Sequence, residues 1–261
     1  MNSITSIRRY TFDAILIGLF LAAAGGAYAQ VSTINSAVIT PRVFDDVTNA
    51  IGTYINLYPG SITLGESGMS QATGNEDRDV WQFSNNGSTA YYFGNSDYFT
   101  ASMTMTLSGN DTSIGNEAGF LFSTASEGDI QLIANSPGHF LGQFGGISYW
   151  NSGTTYALGN TVTLGLSYFL DTATGDNALQ FFANTNASPV FDFAPGVGIG
   201  AGSTLGGYYQ IQNDPANSIN SGSAIYSGIS ITPSPEPSTF AFLSMGIGAL
   251  GAVVLRRRRR I

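Results

Sequence analysis

Phe99, Ala101, Met103, Met105 and Leu107 alternate strictly with Thr100, Ser102, Thr104 and Thr106. A period of two sends successive side chains to opposite faces of an extended backbone, so residues 99–107 predict a strand with one buried and one solvated face. Residues 161–170 repeat the pattern: Val162, Leu164, Leu166, Tyr168 and Leu170 alternate with Thr161, Thr163, Gly165, Ser167 and Phe169. Leu179, Phe181 and Ala183 follow a stretch of turn formers at 171–177, which predicts a hairpin. Further strands are expected at 118–122, 130–134, 208–212 and 225–231. Turn residues recur about every ten positions, as in an all-β sandwich. No helix-period segment of useful length lies between them, and the Thr-rich faces favour a pleat because β-branched side chains lose rotamer freedom in a helix. Residues 31–70 are less periodic and read as a closing strand plus loops.

The two ends follow other rules. Arg8 and Arg9 precede an apolar run at 14–24 and the small-residue site Ala27-Tyr28-Ala29, the three parts of a signal peptide whose removal by signal peptidase would leave Gln30 first. Thr11 stands where a twin-arginine signal wants an apolar residue, which favours Sec export. At the other end Pro235, Glu236, Pro237 and Ser238 lead into an apolar run at 240–255 and then Arg256, Arg257, Arg258, Arg259 and Arg260. The run is about 16 residues, about 24 Å of helix, just enough to span with help from its flanks. Arginines resist translocation, so the tail should end in the cytoplasm with everything before it outside. The expected division is a signal peptide at 1–29, one β-sandwich at 30–231, a Pro-rich stalk at 232–238, and a transmembrane helix with its Arg tail at 239–261.

Charge narrows the partners. The chain has no lysine, and between the two signals only Arg42 and Arg78 face sixteen acids, a formal charge of −14. Such a surface repels phosphate backbones and anionic headgroups, which argues against nucleic acid and suits neutral glycans or divalent cations. Cysteine is absent, so neither disulfides nor thiolate chemistry is available.

The tail, Pro-Glu-Pro-Ser followed by a short apolar helix and an Arg cluster, closely resembles the PEP-CTERM sorting signal. That resemblance implies an exosortase as processing partner, a transient inner-membrane anchor, and residence at the surface or in the exopolysaccharide matrix of a Gram-negative bacterium. The second half of the chain resembles the concanavalin A-like, or laminin-G-like, jelly-roll: residues 117–122 look like its central strand, 170–181 its hairpin and 223–231 its closing strand. An immunoglobulin-like sandwich would share much of this pattern.

Candidate chemistry is sparse. Laminarinase-type glycosidases on that fold place two carboxylates on one strand in a Glu-x-Asp-x-x-Glu run. Here Glu127 and Asp129 match, but Leu132 takes the place of the second Glu, so the run reads as a charged turn before a strand. The only histidine, His139, sits in a Ser-Pro-Gly-His loop signature with no nucleophile elbow nearby. With one histidine and no cysteine, zinc would have to rely largely on carboxylates. Calcium needs only oxygen ligands, and Glu76, Asp77 and Asp79 are its first candidates, although without EF-hand spacing and against the alternative of plain turn residues. Glycan binding calls for aromatic faces beside amides. Tyr149, Trp150 and Asn151, ahead of a Ser-Gly turn, are the first choice, followed by Trp81, Tyr91-Tyr92 and Tyr208-Tyr209-Gln210, each of which could instead serve the core. These readings point to an exported, non-enzymatic, carbohydrate-binding or structural matrix protein, with an exported glycan hydrolase on the same fold as the alternative.

Overall fold

A computed structural model describes residues 31–45, 47, 50–70, 76–110, 115–145, 147–212 and 219–234. A 3-10 turn, Val31–Thr33, precedes β1 (Ser36–Asp45), β2 (Ile51–Leu57), β3 (Ser61–Ser70), β4 (Glu76–Ser84), β5 (Phe99–Gly109), β6 (Glu117–Thr124), β7 (Gly128–Asn135) and β8 (His139–Phe144). Then come β9 (Ile147–Thr155), β10 (Thr161–Leu170), β11 (Asn177–Ala183), the two-residue strands β12 (Asn186–Ala187) and β13 (Phe191–Asp192), β14 (Thr204–Gln212) and β15 (Ile219–Pro233). They form two antiparallel sheets. Sheet A runs β1-β4-β14-β6-β7-β8-β9; sheet B runs β12-β11-β10-β5-β15-β3-β2, with β13 added on β11. The result is the expected jelly-roll-like sandwich.

The two cleanest alternations in the sequence are neighbours. β10 pairs with β5 so that Val162 faces Met105, Leu164 faces Met103, Leu166 faces Ala101 and Tyr168 faces Phe99, all on the inner face. All eight are essentially buried, whereas the Thr and Ser side chains between them stay outside. Pairing two strands in this register buries both apolar rows at once, and a one-residue slip would expose them. Sheet A closes the core from the other side with Trp81, Phe83, Phe120, Phe122, Leu132, Phe140 and Tyr209. Rings meet edge to face across the gap, for example Phe99 with Phe122 at 5.6 Å and Trp81 with Tyr226 at 5.8 Å.

Two glycines make that packing possible. A Cβ on Gly207 would lie 2.3 Å from Trp81 Nε1, and one on Gly142 would lie 2.7 Å from the Phe181 ring. Each large ring therefore occupies the space that a side chain on the glycine would fill, on the paired strand for Gly207 and across the sandwich for Gly142.

Three expectations are revised. The weakly periodic residues 31–70 form three strands rather than one with loops. β4, β8 and β9 had not been foreseen, and His139 opens β8 instead of sitting in a loop. The closing strand reaches Pro233, which pairs with Phe99, and Ser234 N–H donates to Tyr98 O at 2.9 Å. The sandwich thus takes up the first residues of the expected stalk. Among the described residues no helix is long and apolar enough to cross a membrane; the signal peptide, with Ala27, Ala29 and Gln30, and the tail from Pro235 lie outside them.

Candidate functional site

Alternation along β4 sends Trp81 and Phe83 into the core and leaves Arg78, Val80 and Gln82 on the other side of sheet A. Neighbouring strands continue this face: Tyr208 and Gln210 from β14, Glu117 and Leu121 from β6, Gln131 and Ile133 from β7, Leu141 and Gln143 from β8. Val80, Leu121, Ile133 and Tyr208 form a second apolar cluster with Leu141 packed against it, separate from the main core. Polar groups surround it. The face is therefore a buried apolar layer overlain by amides, a guanidinium and carboxylates.

Tyr208 organises its centre. The ring is fully buried, its hydroxyl donates to Glu117 Oε1 at 2.9 Å, and the Arg78 guanidinium lies 5.6 Å from the ring centroid. Arg78 Nε donates to Gln210 Oε1 at 2.6 Å, and Gln210 Nε2 reaches Glu76 Oε2 at 3.4 Å. Alongside, Gln82 Nε2 donates to Thr204 Oγ1 at 2.8 Å. Burial pushes the Glu117 carboxyl up to about 7, against the opposing pull of the Tyr208 hydrogen bond and the Arg78 charge. The group can change protonation near neutral pH. Gln131 is 6% exposed, and its Nε2 donor has no hydrogen-bond partner. A buried amide left unpaired costs free energy that an added acceptor would recover.

Of the residues singled out from the sequence, Tyr208, Gln210 and Glu76 lie on this face, and the others are distributed differently. Opposite Gly142 and Gln143 of β8 stand Trp150 and Ser148, so Tyr149 is the extra residue of a β-bulge. Trp150 is partly buried and stacks on Phe181 with ring centroids 6.2 Å apart and planes within 11°. One of its faces is already taken. Tyr149 is exposed but sits edge-on to Phe144 at 5.2 Å, and the exposed Asn151 accepts from Gly153 N–H. The trio is a packed sheet edge rather than a free aromatic platform. Trp81, Tyr91 and Tyr209 belong to the core, while Tyr92 is exposed.

Glu76, Asp77 and Asp79 do not converge on one cation, because strand alternation puts Glu76 on the outer face and turns the two aspartates inward. Among the described residues no three potential ligands of this kind gather. Asp79 instead joins a small interior network: Arg42 N–H donates to its Oδ1 at 2.9 Å, Arg42 Nη2 lies 3.3 Å from Glu66 Oε2, and Tyr54 donates to Glu66 at 2.7 Å. Burial raises Asp79 to about 6. Glu127 lies in the turn before β7, and Leu132 is a core residue, as the reading of that run implied.

Sequence reasoning passed over Arg78, Glu117 and Gln131. A signal existed in β4, where Arg78, Val80 and Gln82 alternate with Asp79, Trp81 and Phe83, but mixed charge masked the period.

Residues 235–260 match the PEP-CTERM protein-sorting motif. That motif marks an exported protein with a C-terminal membrane anchor that an exosortase processes. No curated protein matches the chain. Among solved structures, alginate lyase A1-II' of polysaccharide lyase family 7 is similar with a TM-score of 0.53 at 12% identity, covering 81% of this chain and 98% of that one. Alginate lyase AlgAT5 of the same family gives 0.51 at 12% identity over 78% and 96%, and the alginate lyase from Corynebacterium sp. 0.50 at 11% over 78% and 96%. At such identity the likeness establishes a shared fold, the concanavalin-like jelly-roll.

Proposed function

We propose that the sandwich is a non-catalytic glycan-binding module delivered to the cell surface or matrix through Sec export and exosortase processing, and that it binds along the outer face of sheet A. The carrying observation is a rim of half-exposed polar side chains, Arg78, Gln82 and Gln143, around the buried and unpaired Nε2 of Gln131. Planar amides both donate and accept, which suits sugar hydroxyls. Neighbouring alginate lyases act on a polysaccharide, which agrees with this choice of ligand class.

A proton donor must reach the bond it cleaves. Tyr208 cannot, because its ring is fully buried and its hydroxyl is spent on Glu117. A second reading, an exported glycan hydrolase, draws on Glu117: a carboxyl raised to about 7 with Glu76 nearby is the pairing of acid and carboxylate that such enzymes use. One set of assays separates the two. Electrophoresis through gels containing neutral polysaccharides or alginate should show retardation in at least one gel, weakened severalfold or more by Gln131→Ala with an unchanged melting temperature. Incubation with the retarding polymer should release neither reducing ends nor unsaturated products. Turnover abolished by Glu117→Gln would establish the hydrolase, and absence of retardation in every gel would leave a purely structural sandwich.

A further inference from the structure

Among the described residues two sheets present four edge strands, and three of them are blunted. β1 carries Pro41 and a register shift between Thr40 and Phe44. β12 has two residues. β9 is interrupted by two shifts against β8. Bulges, prolines and short lengths are the devices by which sheets keep their free backbone groups from pairing with another chain. β2, Ile51–Leu57, has none of them: it pairs with β3 in unbroken register over all seven residues and contains no proline and no charge.

Its side chains fit the same picture. Ile51 is 67% exposed, Ile55 45% and Leu57 65%, all on the outer face of sheet B beside the exposed Ile225 of β15. Across β2, β3, β15, β5 and β10 that outer face carries no charged side chain, since Glu66 of β3 is buried with Tyr54 and Arg42. In a chain with sixteen acids against two arginines between its signals, this is the surface on which two copies can meet without opposing carboxylates.

From this geometry we infer that β2 is a self-association edge: two copies pair β2 with β2, antiparallel, about a two-fold axis through Tyr54. That register sets Ile51 against Leu57 of the second copy and Thr53 against Ile55, so every outer-face position of the strand gains a cross-strand neighbour, twice over by symmetry. Sheet B becomes continuous across both molecules. A seven-residue strand pairing makes a small interface, so association is of the weak, concentration-dependent kind.

The test uses the full chain in mild detergent, in sedimentation velocity from 1 to 100 micromolar. The expected result is a reversible monomer–dimer equilibrium in which the dimer fraction rises with sodium chloride, because salt screens the repulsion between acidic copies. Ile55→Lys, at an exposed position, should remove the dimer without moving the melting temperature, whereas Thr163→Lys on the same face but distant from the edge should leave it. The protein has no cysteine, so a mixture of Thr53→Cys and Ile55→Cys chains should form a disulfide-linked heterodimer on mild oxidation, a product that association through the tail would not give. A monomer throughout the range, a dimer indifferent to Ile55→Lys, or no cross-link in the mixture would each overturn the proposal.

Discussion

At the residue scale the chain keeps two carboxyls in places that prefer them protonated. Glu117 on the outer face of sheet A is raised to about 7 and Asp79 in the interior network to about 6, in both cases chiefly by burial. A carboxyl whose folded pKa lies above its unfolded value stabilises the fold fully only below the unfolded value, and that contribution is lost as pH rises through the folded one. Stability should therefore fall from about pH 4 to about pH 7, by about 1–3 kcal/mol for each group, and level off above that. Thermal melts across that range should show a declining midpoint, and Glu117→Gln should flatten the part of the curve above pH 6. A midpoint that rises toward pH 8 would contradict the placement of both groups. The same residues explain a gap in the sequence reading: Glu117 and Arg78 acquire their character from Tyr208, which is remote from both in sequence, and no local pattern announces a hydrogen bond between residues 91 positions apart.

At the element scale, β5, β10 and β11 were legible because their faces differ cleanly in polarity. β4 was not, since its inward row includes Asp77 and Asp79, and β1 to β3 were not, since β2 is apolar on its exposed side. Alternation predicts a strand only where one face meets water and the other a hydrocarbon core. The edge strand β9 adds a second lesson. Its bulge turns Tyr149 and Trp150 toward the Phe144, Phe181 and Phe191 rings, a device invisible in the run Tyr-Trp-Asn. Trp150→Ala should accordingly cost about 1–3 kcal/mol, less than a fully buried tryptophan because the ring is only partly enclosed. Urea unfolding would measure it, and a variant as stable as the parent would restore Trp150 to the list of free surface rings.

At the scale of the whole molecule the sandwich and its sorting tail are joined with little between them. Changing Pro235, Glu236 and Pro237 to alanine should leave export and membrane insertion intact but stop processing, so that full-length protein accumulates in the inner-membrane fraction. Mass spectrometry of surface material from unmodified cells should find sandwich peptides and none from Phe240 onward; arginine-tail peptides in that material would contradict the sorting route. The pairing of Pro233 with Phe99 and the hydrogen bond from Ser234 to Tyr98 give this step a mechanical setting. From Ser234 to Phe240 the backbone can extend at most about 20 Å. On the proposed sorting route, so short a leash would keep the domain close to the membrane until the tail is cut. Cleavage is then also a change in geometry, from a body fixed at one pole to one whose every surface can face its neighbours.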